Sequence, residues 1–198
     1  MKEAARFAGI KDNANLVISI AAGVTLASLA LWLGGHAKLV RAMPNTPALI
    51  GAGVTGLYAL PGVSEAEKKQ AETILGAVSA TVWIPDEALM DAVTAVSGSG
   101  PAYVFWFIEQ LAAAGESLGL SQETAKKLAL ETVLGSAKLA AQSADSPSTL
   151  RERVTSKGGT TEAALKAFEE QKLAERFLRA VEAARDRGAE LGRLMGKE

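Results

Sequence analysis

Val96-Ser97-Gly98-Ser99-Gly100-Pro101-Ala102-Tyr103 is the stretch on which the fold of this chain turns. Upstream of it, short β-like runs alternate with helical ones; downstream, every periodic segment reads as helix. Proline at the first helical position, behind Ser and Gly, marks a helix start. The run that follows, Tyr103 to Ala114, is almost wholly apolar. The four small residues before the proline leave the backbone open to close approach, next to the unpaired N–H groups of a helix N-terminus. Two readings fit this segment taken alone: a capped turn, or a seat for a small anionic substrate.

Working upstream, Leu16 to Ile20 is a β-branched strand without charge, as expected when both faces of a sheet are covered. Val24 to Leu33 is helical and stopped by Gly34-Gly35; Leu39 to Met43 is a second strand ended by Pro44; Val54 to Leu60 is a third. Ser64-Glu65-Ala66-Glu67 is a capping box that starts a helix running to Leu75 or Gly76. Thr81 to Ile84 is a fourth strand, stopped by Pro85. This alternation predicts an α/β layer with a largely parallel sheet. Downstream, Leu89–Ala95, Ala102–Leu118, Gln122–Ser143, Ser148–Val154 and Thr161–Leu194 read as helix, with Ser121 as a cap, giving an all-α region. The division falls near 87–95. The 102–118 helix is apolar nearly all round and calls for burial on every side, against the α/β part or a second copy of the chain.

Composition narrows the function classes. The chain has 198 residues with 48% hydrophobic and 22% charged, an ordinary globular balance. A net charge of −1 offers no basic field for nucleic acid. The absence of cysteine excludes a disulfide framework and thiolate chemistry and accords with a reducing cytoplasm. The longest apolar stretch, Leu16 to Leu33, is interrupted by Ser19, Gly23, Thr25 and Ser28 and changes period midway, so it reads as strand, turn and helix and not as a membrane span. Met1 to Arg6 carries an acidic residue and leads into no signal-peptide apolar region.

Three further segments carry candidate chemistry. Met43-Pro44-Asn45-Thr46-Pro47 places a rigid turn with a donor and an acceptor at the C-terminal end of a strand, the edge where open α/β sheets bind ligands; a plain Pro-rich turn is the alternative. Ala21-Ala22-Gly23 ends the first strand in small residues that admit a flat ligand or simply allow close packing. Thr155-Ser156-Lys157-Gly158-Gly159-Thr160-Thr161 is a hydroxyl-dense loop whose glycines can turn N–H groups inward on a carboxylate, or whose Thr160 or Thr161 caps the next helix. His36, the only histidine, reads as a surface turn residue. No acidic, His or Cys cluster has metal-ligand spacing.

Taken together and in this order, ISIAAG at 18–23, RAMPNTP at 41–47, VSGSGPAY at 96–103 and VTSKGGTTEAAL at 154–165 resemble pyrroline-5-carboxylate reductase over essentially the whole chain. The resemblance implies a Rossmann-like NAD(P)-binding part over residues 1–90, then a helical dimerisation and substrate-binding domain over 91–198. It implies reduction of a cyclic imino acid, 1-pyrroline-5-carboxylate, to L-proline with NADPH or NADH. Ala21, Ala22, Gly23, Met43, Pro44 and Asn45 are then expected around the nicotinamide and its ribose. Ser97, Gly98, Ser99 and Gly100 are expected in the gap between nicotinamide and substrate. Gly158, Gly159 and Thr160 are expected at the substrate carboxylate, and Thr161 at the ring nitrogen. It further implies a homodimer or higher oligomer, in which one chain's glycine-threonine loop completes a site beside its partner's nicotinamide pocket.

Two departures stand out. Lys157 occupies a place where many family members have proline, and is expected to face solvent. The family's first βαβαβ half, with its Gly-rich pyrophosphate turn, is expected upstream of these residues, so this chain by itself is expected to bind NADPH very weakly and to show little or no reductase activity. A helical dimerising remnant without chemistry is the competing reading.

Overall fold

The computed structural model describes residues 15–195; the reading of Met1 to Arg6 lies outside them. Strand β1 (Val17–Ser19) pairs in parallel with β2 (Leu39–Met43). Helix α1 (Leu26–Trp32) makes the crossover. Thr25 stays extended and its hydroxyl accepts the Ser28 N–H at 3.2 Å, which starts the helix. Gly34 and Gly35, with φ of +71° and +92°, end it in a conformation that side chains resist.

β2 is the inner strand around which both sheet faces are built. Leu39, Val40, Arg41 and Ala42 are all buried, and their side chains alternate across the sheet. Leu39 joins Val24, Leu26 and Leu29 in a cluster under α1. Val40 and Ala42 join Leu57, Val63 and Ala71 in a second cluster under helix α2 (Glu65–Gly76). Arg41 falls on the α1 face, where a lone charge would be costly. Its Nη1 donates to Glu87 Oε1 at 3.2 Å, and its Nη2 lies 3.8 Å from Asp91 Oδ1. The same Glu87 oxygen accepts the Leu26 N–H, at the start of α1, at 2.7 Å.

The four-stranded sheet has the order β1-β2-β3-β4, with β3 at Gly53–Ala59 and β4 at Ser79–Trp83. It is mostly parallel, as expected, with one reversal: β2 and β3 are antiparallel. Residues 44–52 are too few to carry a crossover helix, so β3 must return alongside β2. The capping box forms as expected, with Glu67 N–H donating to Ser64 Oγ at 3.3 Å and Ser64 N–H donating to Glu67 Oε2 at 2.8 Å.

Helices follow: α3 (Met90–Val93), a π-helical turn (Thr94–Gly98), α4 (Gly100–Ser117), α5 (Gln122–Gln142), α6 (Pro147–Arg153), α7 (Thr160–Glu170) and α8 (Leu173–Met195). Among the described residues two compact units form, 15–101 with 180–195, and 102–179.

Three expectations need correction. The helix expected over 161–194 is two helices, because Lys172 adopts φ of +54° between α7 and α8. No glycine or proline marks that stop, and the amphipathic pattern runs through it. His36 is buried at 3% exposure, its Nε2 donating to the Asn15 carbonyl at 2.8 Å; the two left-handed glycines before it fold it back inward. The expected small-residue loop at 96–100 is instead the π turn, described below. One copy of the chain does not cover helix α4 on every side: Phe105, Trp106 and Phe107 are exposed and only Ala112 is buried.

Two predictions follow from this packing. Glu87→Ala strips both the Leu26 N–H and Arg41 of their acceptor, and is expected to destabilise the first unit by about 2–4 kcal/mol, read by urea denaturation; Glu87→Gln, which keeps an acceptor oxygen, costs less. Glu67 is the second case. The Lys38 side chain, then the Ser64 N–H and hydroxyl, hold its carboxyl down from 4.5 to about 2. A depressed carboxyl contributes stability above its unfolded value and loses it as pH falls through the folded one. The melting temperature is therefore expected to drop between pH 4.5 and about 2, and Glu67→Gln to flatten the drop in that window.

Candidate functional site

Because β1 and β2 are parallel neighbours, with Ser19 opposite Arg41, their C-terminal ends emerge together. Ala21, Ala22 and Gly23 leave the first strand, and Met43, Pro44 and Asn45 leave the second. Gly23 has φ of +76°, so the turn into α1 favours glycine there. Asn45 is extended and opens a 3₁₀ turn, Thr46–Ile50. Its Oδ1 accepts the Val54 N–H at 2.9 Å, which locks the turn onto β3. The carboxamide nitrogen of Asn45 has no partner among the described residues and remains a donor.

The spacing Gly51-Ala52-Gly53-Val54-Thr55-Gly56 also satisfies the G-x-G-x-x-G pattern. Here it leads into β3 and not into a helix, so it presents no helix N-terminus to a pyrophosphate. Gly53 and Gly56 serve packing: a Cβ on Gly53 would meet Ala48 at 2.7 Å, and one on Gly56 would meet Val93 at 2.6 Å.

The Ser-Gly-Ser-Gly segment is a widened helical turn continuous with α4. Pro101 has no N–H for the Ser97 carbonyl four residues back, and a π turn is one way a helix absorbs such a gap. Ser99 N–H reaches the Thr94 carbonyl at 2.8 Å, Thr94 Oγ1 donates to the Met90 carbonyl at 2.9 Å, and Ser97 Oγ donates to the Val93 carbonyl at 2.9 Å. Ser97, Gly98, Ser99 and Gly100 are half-buried. A Cβ on Gly98 would lie 2.7 Å from the Met43 terminal methyl. The last residue of β2 and the Ser-Gly segment are therefore in direct contact, a juxtaposition that spacing alone does not reveal.

The second unit carries the remaining candidates. Gly158 has φ of +74° and its N–H donates to Glu162 Oε2 at 2.6 Å. Gly159 N–H donates to the Ser156 carbonyl at 3.0 Å, and a Cβ on Gly159 would lie 2.6 Å from Ser156 Oγ. Gly159, not a threonine, is the N-cap of α7, and it makes no side-chain cap. The Thr160 and Thr161 hydroxyls thus stay free of capping duty and have no partner among the described residues. Thr161 is half-buried; Thr160 and Lys157 are exposed. Sequence reasoning passed over Glu162, whose place three residues past the cap was the available signal. It also missed Arg41 and Glu87, which carry no local signal of pairing. No group of acidic, His or Cys side chains among the described residues could hold a metal ion, and no helix among them is long and apolar enough to cross a membrane.

An α/β sheet with its motif loops at the shared end of two parallel strands, continued into a helical half, defines a Rossmann-type protein with an appended helical domain. A family model described as "Pyrroline-5-carboxylate reductase dimerisation" matches residues 87–191. The pyrroline-5-carboxylate reductase of Pseudomonas aeruginosa is 51% identical over 182 residues, covering 92% of this chain and 67% of the relative. That of Haemophilus influenzae is 44% identical, covering 89% of this chain and 65% of the relative. A solved structure of the Coxiella burnetii protein superposes with a TM-score of 0.88 at 44% identity, covering 96% of this chain and 70% of that one. The Plasmodium falciparum pyrroline carboxylate reductase, solved with NADP bound, gives 0.82 at 36% identity, covering 90% and 71%. This chain belongs to the pyrroline-5-carboxylate reductase family. It spans about two thirds of the length of the curated relatives it matches.

Asn45→Ala leaves the Val54 N–H without its acceptor and is expected to cost about 1–2 kcal/mol in urea denaturation. The Val54 amide should lose hydrogen-exchange protection; unchanged protection would remove Asn45 from its locking role.

Proposed function

We propose that this chain takes part in the NAD(P)H-dependent reduction of 1-pyrroline-5-carboxylate to L-proline, the closing step of proline biosynthesis, in the cytoplasm. The observation that carries this reading is the Met43–Gly98 contact, which joins two of the four motif segments at the ligand edge of the sheet. The residues there fit a nicotinamide: small side chains at Ala21 to Gly23 admit a flat ring, Pro44 stiffens the turn, and Asn45 keeps a free amide donor.

When bound, the nicotinamide supplies a hydride to the imine carbon, and the ring nitrogen keeps or gains a proton, so the C=N bond becomes CH–NH. The chain's own residues orient these partners. Ala21, Ala22, Gly23, Met43, Pro44 and Asn45 hold the nicotinamide and its ribose. Ser97, Gly98, Ser99 and Gly100 line the approach without filling it; Ser97 turns its hydroxyl onto the backbone, and a Cβ on Gly100 would meet nothing within 4 Å. Thr161 hydrogen-bonds the ring nitrogen. A threonine hydroxyl is too weak an acid to deliver a proton unaided, so its contribution is orientation.

The Gly158–Thr160 segment takes the substrate carboxylate. Its Gly158 N–H already carries a carboxylate, that of Glu162, and the substrate's replaces it. Gly159 lets the loop close tightly on Ser156, where a side chain would collide.

A homodimer, or a higher oligomer built from it, accounts for the exposed Phe105, Trp106 and Phe107 on α4. In it one chain's 158–161 loop serves a partner's nicotinamide pocket, and NADPH or NADH is the reductant. The exposed α4 face by itself also suits a dimerising module without chemistry.

One titration separates these readings. Reduced nicotinamide mononucleotide, the reactive half of the cofactor, is expected to shift the amide resonances of Ala21, Ala22 and Asn45. L-proline is expected to shift those of Gly158, Thr160 and Thr161. In an assay of NADPH oxidation by the imino acid, Thr161→Ala should lower kcat by about 10–100-fold with an unchanged cofactor KM. A dimer that shows neither set of shifts overturns the enzymatic reading and leaves the module.

A further inference from the structure

The C-terminal part of α8, residues 180–195, belongs to the first unit and packs against the loop that follows β1. Gly188 and Gly192, one helical turn apart, lie on one face of α8. The two glycines differ in what they meet. A Cβ on Gly192 would sit 2.9 Å from the Gly23 carbonyl oxygen, a backbone atom that cannot swing aside. A Cβ on Gly188 would lie 3.6 Å from Asp91 Oδ1, an ordinary contact. From the other side, a Cβ on Gly23 would come within 3.3 Å of the Gly192 nitrogen. Glycine in a helix interior is unfavourable relative to alanine. At 188 that cost has no steric reason in the structure; at 192 it has one, the approach of helix backbone to loop backbone.

We propose that Gly192 is a positioning residue for the cofactor. The bare backbone of α8 at this point sets where the Ala21–Gly23 loop stands. The nicotinamide end is then held only as well as the last helix is seated. The inference rests on the reading that Ala21, Ala22 and Gly23 meet the nicotinamide. It adds that their position is dictated from near the far end of the chain. The contact is backbone to backbone, so even one methyl group must move the loop, by a few tenths of an ångström or more. Small displacements of positioning groups are costly to catalysis and to the binding that precedes it.

The test compares Gly192→Ala with Gly188→Ala in the full chain. Both raise helix propensity, but only the Gly192 methyl meets the loop, so a purely structural role predicts a lowered melting temperature for Gly192→Ala alone and unchanged kinetics for both. The expected result is different. Gly192→Ala should shift the Ala22 and Gly23 amide resonances and raise the KM for NADPH, or the Kd for reduced nicotinamide mononucleotide, by about fivefold or more. The KM for the imino acid should stay put, and Gly188→Ala should behave as wild type. Undisplaced Ala22 and Gly23 amides in a folded Gly192→Ala overturn the proposal, as does an unchanged cofactor constant. A wild-type chain that binds neither nucleotide overturns the functional reading and the cofactor half of this inference, whereas the loop shift still reports on the seating itself.

Discussion

A guanidinium buried in a strand is the constraint around which the first unit is organised. Arg41 sits in the middle of β2 with hydrophobic neighbours on either side. Its charge must be met inside the fold, because an unpaired one is expensive there. Glu87 meets it, and the same oxygen closes the first N–H of α1. Asp91 stands behind as the second carboxylate. One carboxylate oxygen therefore fixes the strand, the start of the crossover helix and the segment leading to the π turn. The two loops proposed for the nicotinamide flank this point: Ala21 to Gly23 shortly before Leu26, and Met43 to Asn45 shortly after Arg41. The ion pair is structural in its chemistry and functional in its placement, since moving either partner disturbs both loops at once.

Much of this was legible from local pattern. The second strand, the capping box, the Ser121 cap and the prolines that punctuate the sheet are short-range signals, and each appears where the residues put it. What escaped was set at longer range or lacked a punctuation residue. Lys172 breaks a helix without glycine or proline, at the price of a left-handed backbone. His36 is turned inward by two glycines whose direction no composition reveals. The reversal of β3 could have been seen in the shortness of the 44–52 connection. The contact between Gly98 and Met43 lies between residues far apart in the chain, and only the fold discloses it. Within the candidate site, the identities of the small and hydroxyl-bearing residues were readable, whereas the occupation of the Gly158 N–H by Glu162 was not.

The second unit shows a different physical situation. Its helices bury mainly alanines, Ala112, Ala125 and Ala129, and turn large side chains outward. Small residues inside let helices approach closely; aromatic ones outside leave apolar surface that a single copy does not cover. The matched family model describes dimerisation over the same segment. In the proposed dimer the hydrophobic effect would act chiefly between chains, so the cohesion of this half would depend on protein concentration in a way that of the sheet does not.

The short return from β2 to β3 bears on how the family can vary. Surface connections ordinarily tolerate inserted residues at small cost. The 44–52 segment is held at both ends, by the pairing of Met43 with Gly56 and by the Asn45 carboxamide on Val54. An added residue there would either detach that carboxamide or slip the strand register, which would turn the buried face of β3 outward. Length drift among homologues should accordingly be excluded from this exposed turn and accumulate in connections that nothing clamps.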